Sequence, residues 1–246
     1  MCTLVTTRRS FAILFKVLTK NFFNIIRLYP GMMYAAYSKK FSSEQKYDIC
    51  VKLIKTLMDS TGLKVEAYGL ENLPKKNGYY LCSNHQEKFD PLAIWYCFPG
   101  RVGVILDDRA THRPFISEVC RLIKSKKLRY RKMHELLRSF DEVTEELKSG
   151  INYLVFPEGG YEQEDGKLTK FQTGCFKSPK RAKCPIVPVC VIDSYKIFDK
   201  GYKTTNPIQI HYLKPIMPEE YENLSTTQMA ELVKSRIQAE LDKYQR

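Results

Sequence analysis

Residues 79–95 read YYLCSNHQEKFDPLAIW, and how this stretch folds decides the architecture of the chain. Tyr79 to Asn84 is apolar and β-prone, as a buried strand should be, and Leu92 to Trp95 is apolar in a helical context. Asp90-Pro91 between them is a helix start, with Asp at the cap and Pro at the first helical position. His85, one of four histidines in the chain, therefore falls just past the carboxyl end of a strand. His85 and Asp90 are five residues apart, ~500° of rotation on a helix, so they can meet only if the residues between them form a turn. In that case Asp90 caps the helix with one oxygen and holds the imidazole with the other.

The same strand-and-helix alternation extends outward in both directions. Strand-like runs occur at KVEAYGL, GYYLCSN, VGVILD, INYLVFP, IVPVCVI and IQIHYL. Helical stretches are expected near 91–98, 114–124, 133–149, 172–182 and 226–244, the last opened by Ser225-Thr226-Thr227. This alternation predicts an α/β fold with a mostly parallel central sheet flanked by helices on both faces. Ligands of such sheets gather at the carboxyl ends of strands. Two of those ends carry chemistry-bearing residues: the His85 turn, and Pro157-Glu158-Gly159-Gly160 after INYLVF, where glycines let backbone approach a ligand. Pro185 and Pro188 in CPIVPVCVI suit a strand start and an edge or bulge.

Before the sheet the chain has a different character. The first 43 residues hold no Asp or Glu but carry Arg8, Arg9, Lys16, Lys20, Arg27, Lys39 and Lys40, about half of the net charge of +13. Phe11, Leu14, Phe15, Leu18, Phe22, Ile25, Ile26 and Tyr29 form an apolar stripe at helical spacing, with Lys16, Lys20 and Arg27 opposite and Ile13 and Phe23 off the pattern. No run of ~18 uncharged residues is present to span a bilayer, and a signal peptide does not fit. An aromatic-rich stripe opposed by cations predicts a helix lying in a membrane interface. Pro30-Gly31 is expected to end it, and a second helix, capped by Ser42 or Ser43, to run to about Ser60 before Gly62. The expected division is residues 1–62 as an N-terminal helical pair that anchors the chain at the interface, and 63–246 as an α/β domain.

The eight cysteines, Cys2, Cys50, Cys82, Cys97, Cys120, Cys175, Cys184 and Cys190, are scattered, with no Cys-x-x-Cys pair, so neither a zinc site nor a disulfide framework is expected. Reduced, core-packing thiols are the expectation, in a compartment that keeps them reduced. The basic charge requires an anionic partner, yet no nucleic-acid motif interleaves it with aromatics, so nucleic acid is not expected. A serine hydrolase is excluded because no Gly-x-Ser-x-Gly elbow occurs.

His85 with Asp90, then Phe156-Pro157-Glu158-Gly159, then Pro185-Ile186-Val187-Pro188-Val189, in that order and at those separations, resembles the glycerolipid acyltransferase family of the 1-acylglycerol-3-phosphate O-acyltransferase type. The stretch LTKFQTGCFKSPKRAKCPIVPV is similar to the family's joining segment, and the resemblance covers about residues 64–215. It implies a membrane-associated enzyme that moves a fatty acyl group from acyl-CoA or acyl carrier protein to the sn-2 hydroxyl of 1-acylglycerol-3-phosphate, with no metal or other cofactor. The alternatives are transfer to glycerol-3-phosphate or another lysophospholipid, or an inactive lipid-binding relative.

In that family His85 is the base and Asp90 its orienting partner, Glu158 and Gly159 belong to the acceptor-binding block, and Pro185, Val187 and Pro188 line the acyl or acceptor site. Backbone amides near the turn are candidates for stabilising the oxyanion. The partners implied are a lysophospholipid, the thioester donor and an anionic membrane surface, at the cytoplasmic face. The chain departs from the family's pattern where Gly160 and Tyr161 replace Thr or Ser and then Arg, and where Thr173 replaces a basic residue. The phosphate then falls to Arg129 or Arg131 of SKKLRYRK, a basic run otherwise read as a solvated helix face, or to Lys170 or Lys177.

Overall fold

The computed structural model describes residues 22–112, 115–129, 132–160, 166–198 and 206–244. Two helices come first, α1 (Phe22–Tyr37) and α2 (Ser43–Thr61). There follow β1 (Val65–Tyr68), β2 (Tyr80–Ser83), α3 (Asp90–Cys97), β3 (Val102–Asp107), α4 (Ile116–Leu122), β4 (Lys126–Leu128), α5 (Met133–Lys148) and β5 (Asn152–Val155). The chain closes with α6 (Lys177–Ala182), β6 (Ile186–Ile192), β7 (Ile208–Tyr212), α7 (Pro218–Tyr221) and α8 (Thr226–Leu241).

Seven strands make one sheet in the order β1-β7-β6-β2-β5-β3-β4. Every neighbouring pair is parallel except β6 and β7. The mostly parallel α/β architecture is therefore as the alternation predicts. β2 lies at its centre, with β5, β3 and β4 on one side and β6, β7 and β1 on the other. That makes its carboxyl end a topological switch point, where the chain after β2 leaves toward β3 on one side while its neighbour on the other side, β6, is added later.

Side chains alternate to the two faces. Leu81 faces a core built with Met32, Ala35, Cys50, Leu53, Ile54, Ile94 and Val119 from α1 to α4, while Tyr80 and Cys82 face Phe140, Val143, Leu147, Val233 and Ile237 from α5 and α8. Because both faces are covered, β6 is buried along its whole length, which is why it reads as an unbroken apolar run.

Local chemistry sets the helix ends. Ser42 and Gln45 form a reciprocal cap on α2, at 3.2 and 2.9 Å, and Gly62 closes it at φ 71°. Ser225 and Gln228 repeat the device on α8, at 3.2 and 2.8 Å. Gly78 starts β2 at φ 97°, and a Cβ there would stand 2.5 Å from the Leu147 carbonyl, so only glycine lets β2 begin at this level.

The sequence expectations change at four places. Pro30-Gly31 does not end the first helix: α1 continues to Tyr37, because Pro removes only one ladder bond while Met32, Ala35 and Ala36 keep the helical period and are buried. MMYAAY, residues 32–37, is thus the second half of α1. The basic run SKKLRYRK is not a helix face; Lys126–Leu128 is the edge strand β4, pairing with β3. The 172–182 stretch begins as a 3₁₀ turn at Thr173–Phe176 before α6. Finally, β6 is a central strand, not an edge, and Pro188 sits opposite a bulge in the 213–215 segment, since Ile186 faces Ile216 while Val189 faces Tyr212.

The apolar stripe at Phe11, Leu14, Phe15 and Leu18 lies outside the described residues. On α1, Phe23 is 83% exposed and Ile26 56%, and Arg27 is exposed beside them. No helix of the described residues is long and apolar enough to cross a membrane.

Candidate active site

The turn after β2 is pinned from four directions. Asn84 continues the ladder with its side chain: its Oδ1 accepts the Val191 N–H at 2.7 Å and its Nδ2 donates to the Val191 carbonyl at 2.9 Å. Gln86 Oε1 accepts from the N–H and hydroxyl of Ser194, both at 3.2 Å. The His85 N–H donates to Glu158 Oε1 at 2.8 Å. Asp90 supplies the fourth anchor from below.

Asp90 is fully buried, and its Oδ2 lies 2.8 Å from His85 Nδ1. The same oxygen accepts the N–H groups of Gln86 at 2.6 Å and Glu87 at 2.8 Å. The two side chains therefore meet across a turn, as the five-residue spacing requires. The division of labour differs from the expected one, because Asp90 caps no helix amide: a single oxygen serves ring and turn together. Oδ1 is buried and accepts no hydrogen bond from the described residues. A buried carboxylate needs such donors to stay charged, and a charged Asp90 keeps the Nδ1–H tautomer of His85. The lone pair of the neutral ring then lies on Nε2, the atom a general base uses. The ring packs against Phe156 at a tilt of 31°, with centroids 4.3 Å apart, and its side chain keeps 13% of its surface exposed.

The turn amides are fully engaged. His85 donates to Glu158, Gln86 and Glu87 to Asp90, and Lys88 to the Glu87 carboxylate at 2.9 Å. These four N–H groups hold the base in place, so the expected role of turn amides as oxyanion donors does not fall to them.

The remaining sequence candidates separate. Glu158 and Gly159 stand at the carboxyl end of β5, next to His85, with Gly159 at φ 74°. Lys170 is exposed on the loop that Glu158 holds through Thr169, whose N–H and hydroxyl donate to Oε2 at 2.8 and 2.6 Å. Arg129 follows β4 and is already paired, with Asp108 Oδ2 at 3.3 Å and with Glu135. Hydrogen bonds from Arg129 and Lys132 hold the Glu135 carboxyl down at about 2. Arg131 and Tyr161 lie outside the described residues. Lys177 is exposed at the start of α6, beyond the 3₁₀ turn.

Pro185, Val187 and Pro188 lie on β6 or just before it. Val187 is fully buried in the core, Pro188 is buried between β2 and β7, and Pro185 precedes β6 at the end of the strands opposite to His85. A groove of about 720 Å³ lined by Tyr47, Lys52, Lys55, Phe98 and Arg101 also opens at that opposite end, too far round the sheet to serve the histidine.

Asn84, Gln86 and Thr169 are parts of the site that sequence reading did not single out, and Phe156 was named only as the first residue of the Glu158 block. Only Asn84 carried a faint signal, as an amide side chain directly after a strand. Among the described residues no cluster of His, Cys, Asp and Glu suited to a metal ion occurs.

Glu87 sits in the turn without a role in the dyad. Burial pushes its carboxyl above the usual range, and Asp90 adds to the effect against the lowering influence of Lys88 and His85. A carboxyl whose folded pKa is raised costs stability once pH exceeds the unfolded value, and costs nothing below it. Glu87→Gln is thus expected to raise Tm at pH 7, with the gain vanishing as pH falls below about 4. A gain of equal size at both pH values, measured by thermal melts, would contradict this.

A family model described as Acyltransferase matches residues 64–192, a span that contains the His85 turn, the Glu158 turn and β6. A Saccharomyces cerevisiae protein named 1-acyl-sn-glycerol-3-phosphate acyltransferase is 30% identical over 181 residues, covering 72% of this chain and 59% of its own length. The Homo sapiens 1-acyl-sn-glycerol-3-phosphate acyltransferase alpha is 27% identical over 162 residues, covering 64% of this chain and 56% of its own. The chain thus spans less than two thirds of either relative. The crystal structure of the 1-acyl-sn-glycerophosphate (LPA) acyltransferase PlsC from Thermotoga maritima has the same fold, with a TM-score of 0.72 at 20% identity over 96% of this chain and 97% of that one. The family model covers more than half of the chain, and the chain belongs to the acyltransferase family.

Proposed function

We propose that this chain is an O-acyltransferase that moves a fatty acyl group from a thioester donor, acyl-CoA or acyl carrier protein, to the sn-2 hydroxyl of 1-acylglycerol-3-phosphate, giving phosphatidic acid. The observation that carries the reading is the 2.8 Å contact between His85 Nδ1 and buried Asp90 at the carboxyl end of the central strand. His85 Nε2 takes the proton of the acceptor hydroxyl as its oxygen attacks the thioester carbonyl. The imidazolium so formed is stabilised by Asp90. The tetrahedral intermediate expels the thiolate, and the imidazolium returns the proton to that sulfur, leaving ester and free thiol. This sequence needs no metal and no covalent acyl-enzyme.

The names of the yeast and human relatives support lysophosphatidic acid as the acceptor. With Gly160 following Glu158-Gly159, cations elsewhere must meet the phosphate. Lys170, exposed on the loop joined to the His85 turn, and Arg129 at the end of β4 are the described groups we assign to it. Arg129 would exchange Asp108 and Glu135 for phosphate, which a guanidinium can hold with two parallel bonds. His85→Ala is expected to lower kcat by about 10²- to 10⁴-fold with the fold intact by circular dichroism. Retained turnover in an assay of lysophosphatidic acid with acyl-CoA and acyl carrier protein would remove the base from the mechanism.

The same reading places the protein on a membrane surface, at the cytoplasmic face. Exposed Phe23, Ile26, Tyr34 and Tyr37 on α1, beside Arg27, give apolar contact and charge for an anionic interface. Seven free cysteines among the described residues suit a reducing compartment. Phe23→Glu combined with Ile26→Glu is expected to move most of the protein from pellet to supernatant in sedimentation with anionic vesicles. Unchanged sedimentation would show that this face of α1 does not touch lipid.

A further inference from the structure

Glu158 occupies the third position of a tight turn, closed by the Gly159 N–H on the Phe156 carbonyl at 3.1 Å. From there its carboxylate reaches in two directions at once. Oε1 accepts the backbone N–H of His85 at 2.8 Å, and Oε2 accepts both the N–H and the hydroxyl of Thr169, at 2.8 and 2.6 Å. The donors come from segments 73 and 11 residues away along the chain, so one side chain joins three separate loops. A carboxylate offers about four lone-pair directions, and three of these are already filled by protein donors. A phosphate approaching it would meet like charge.

The contact to His85 completes what Asp90 leaves undone. Asp90 fixes the ring nitrogen and the two amides that follow, but not the residue's own N–H. With that N–H loose, the backbone at His85 could rotate and swing the imidazole out of line with an acceptor hydroxyl. Displacements of ~1 Å at a base cost on the order of 10²-fold in rate.

We infer that Glu158 is a positioning residue: it straps the His85 backbone to the Thr169 loop and is not a ligand for the acceptor's phosphate. The inference rests on the reading of His85 as the general base, and it departs from the acceptor-binding role that the family resemblance implies for Glu158. The side chain must be a carboxylate for this purpose. In Glu158→Gln one end becomes an NH₂ group, and whichever way the amide turns, it faces an N–H donor on His85 or on Thr169.

The test combines steady-state kinetics with amide hydrogen exchange followed by NMR on the full chain. Glu158→Gln is expected to lower kcat by about 10- to 100-fold while the KM for lysophosphatidic acid stays within about 3-fold. It should also speed exchange at the His85 amide with Tm little changed. Thr169→Val, which removes only the hydroxyl, should lower kcat by about 2- to 10-fold, and Thr169→Ser should recover most of that loss. A rise in acceptor KM at unchanged kcat in Glu158→Gln would overturn the inference and make the residue a ligand.

Unchanged His85 amide exchange would overturn it as well. If Glu158→Gln does not fold, Thr169→Val and Thr169→Ser decide: equal kcat in the two variants speaks against the strap. Should the wild-type protein turn over no acyl donor at all, the proposed activity fails, while the exchange measurement still reports on the strap by itself.

Discussion

A carboxylate with no access to water survives in a fold only where donors converge on it, and here the convergence is the site. Asp90 Oδ2 gathers the His85 ring and two successive backbone N–H groups, and in doing so bends residues 85–90 into the one turn that brings base and carboxylate together. Everything nearby serves that turn. β2 delivers it at the switch point of the sheet, Asn84 and Gln86 moor it to the end of β6 and the residues after it, and Glu158 holds its first amide. Hydrogen bonds to a charged group are worth roughly 1.5–3 kcal/mol each, so the set offsets the desolvation of Asp90 while making the geometry rigid.

Rigidity of this kind has a chemical consequence. The amides that hold the turn are spent on carboxylates, so in the proposed reaction the developing oxyanion would be met by groups outside residues 85–88. The cations show a similar economy. Arg129 is held by Asp108 and Glu135, and burial that would push Asp108 up is outweighed by His112, Arg129 and Lys127 beside it, leaving it below its ordinary value. In the proposed reaction an acceptor phosphate would compete with these carboxylates for the guanidinium, and a doubly charged headgroup would do so better than a neutral one.

Much of this was legible from the residues. Strands buried on both faces, such as IVPVCVI, announce themselves as apolar runs, and the Ser-x-x-Gln caps of α2 and α8 are local signals that act within one turn. His85 and Asp90 were readable for the same reason: five residues and a proline confine their relation to a short turn. What failed was decided by distant contacts. β4 is a three-residue edge whose Lys126 runs to Glu142 and Glu146 on α5, so its composition resembles a solvated helix face. The hydrogen bond from the His85 N–H to Glu158 joins residues 73 apart, a contact that Phe-Pro-Glu-Gly by itself does not announce. Val187 and Pro188 lie on β6, the strand to which the turn is moored, and Pro185 just before it.

The central claim is that Asp90 fixes the tautomer of His85, and nitrogen-15 NMR of the imidazole above its titration reads this directly. The account predicts a proton on Nδ1 and a lone pair on Nε2 in the wild-type protein, with that preference weakened in Asp90→Asn. A wild-type ring protonated on Nε2 would contradict it, because the base would then face the acceptor hydroxyl with a hydrogen already in place.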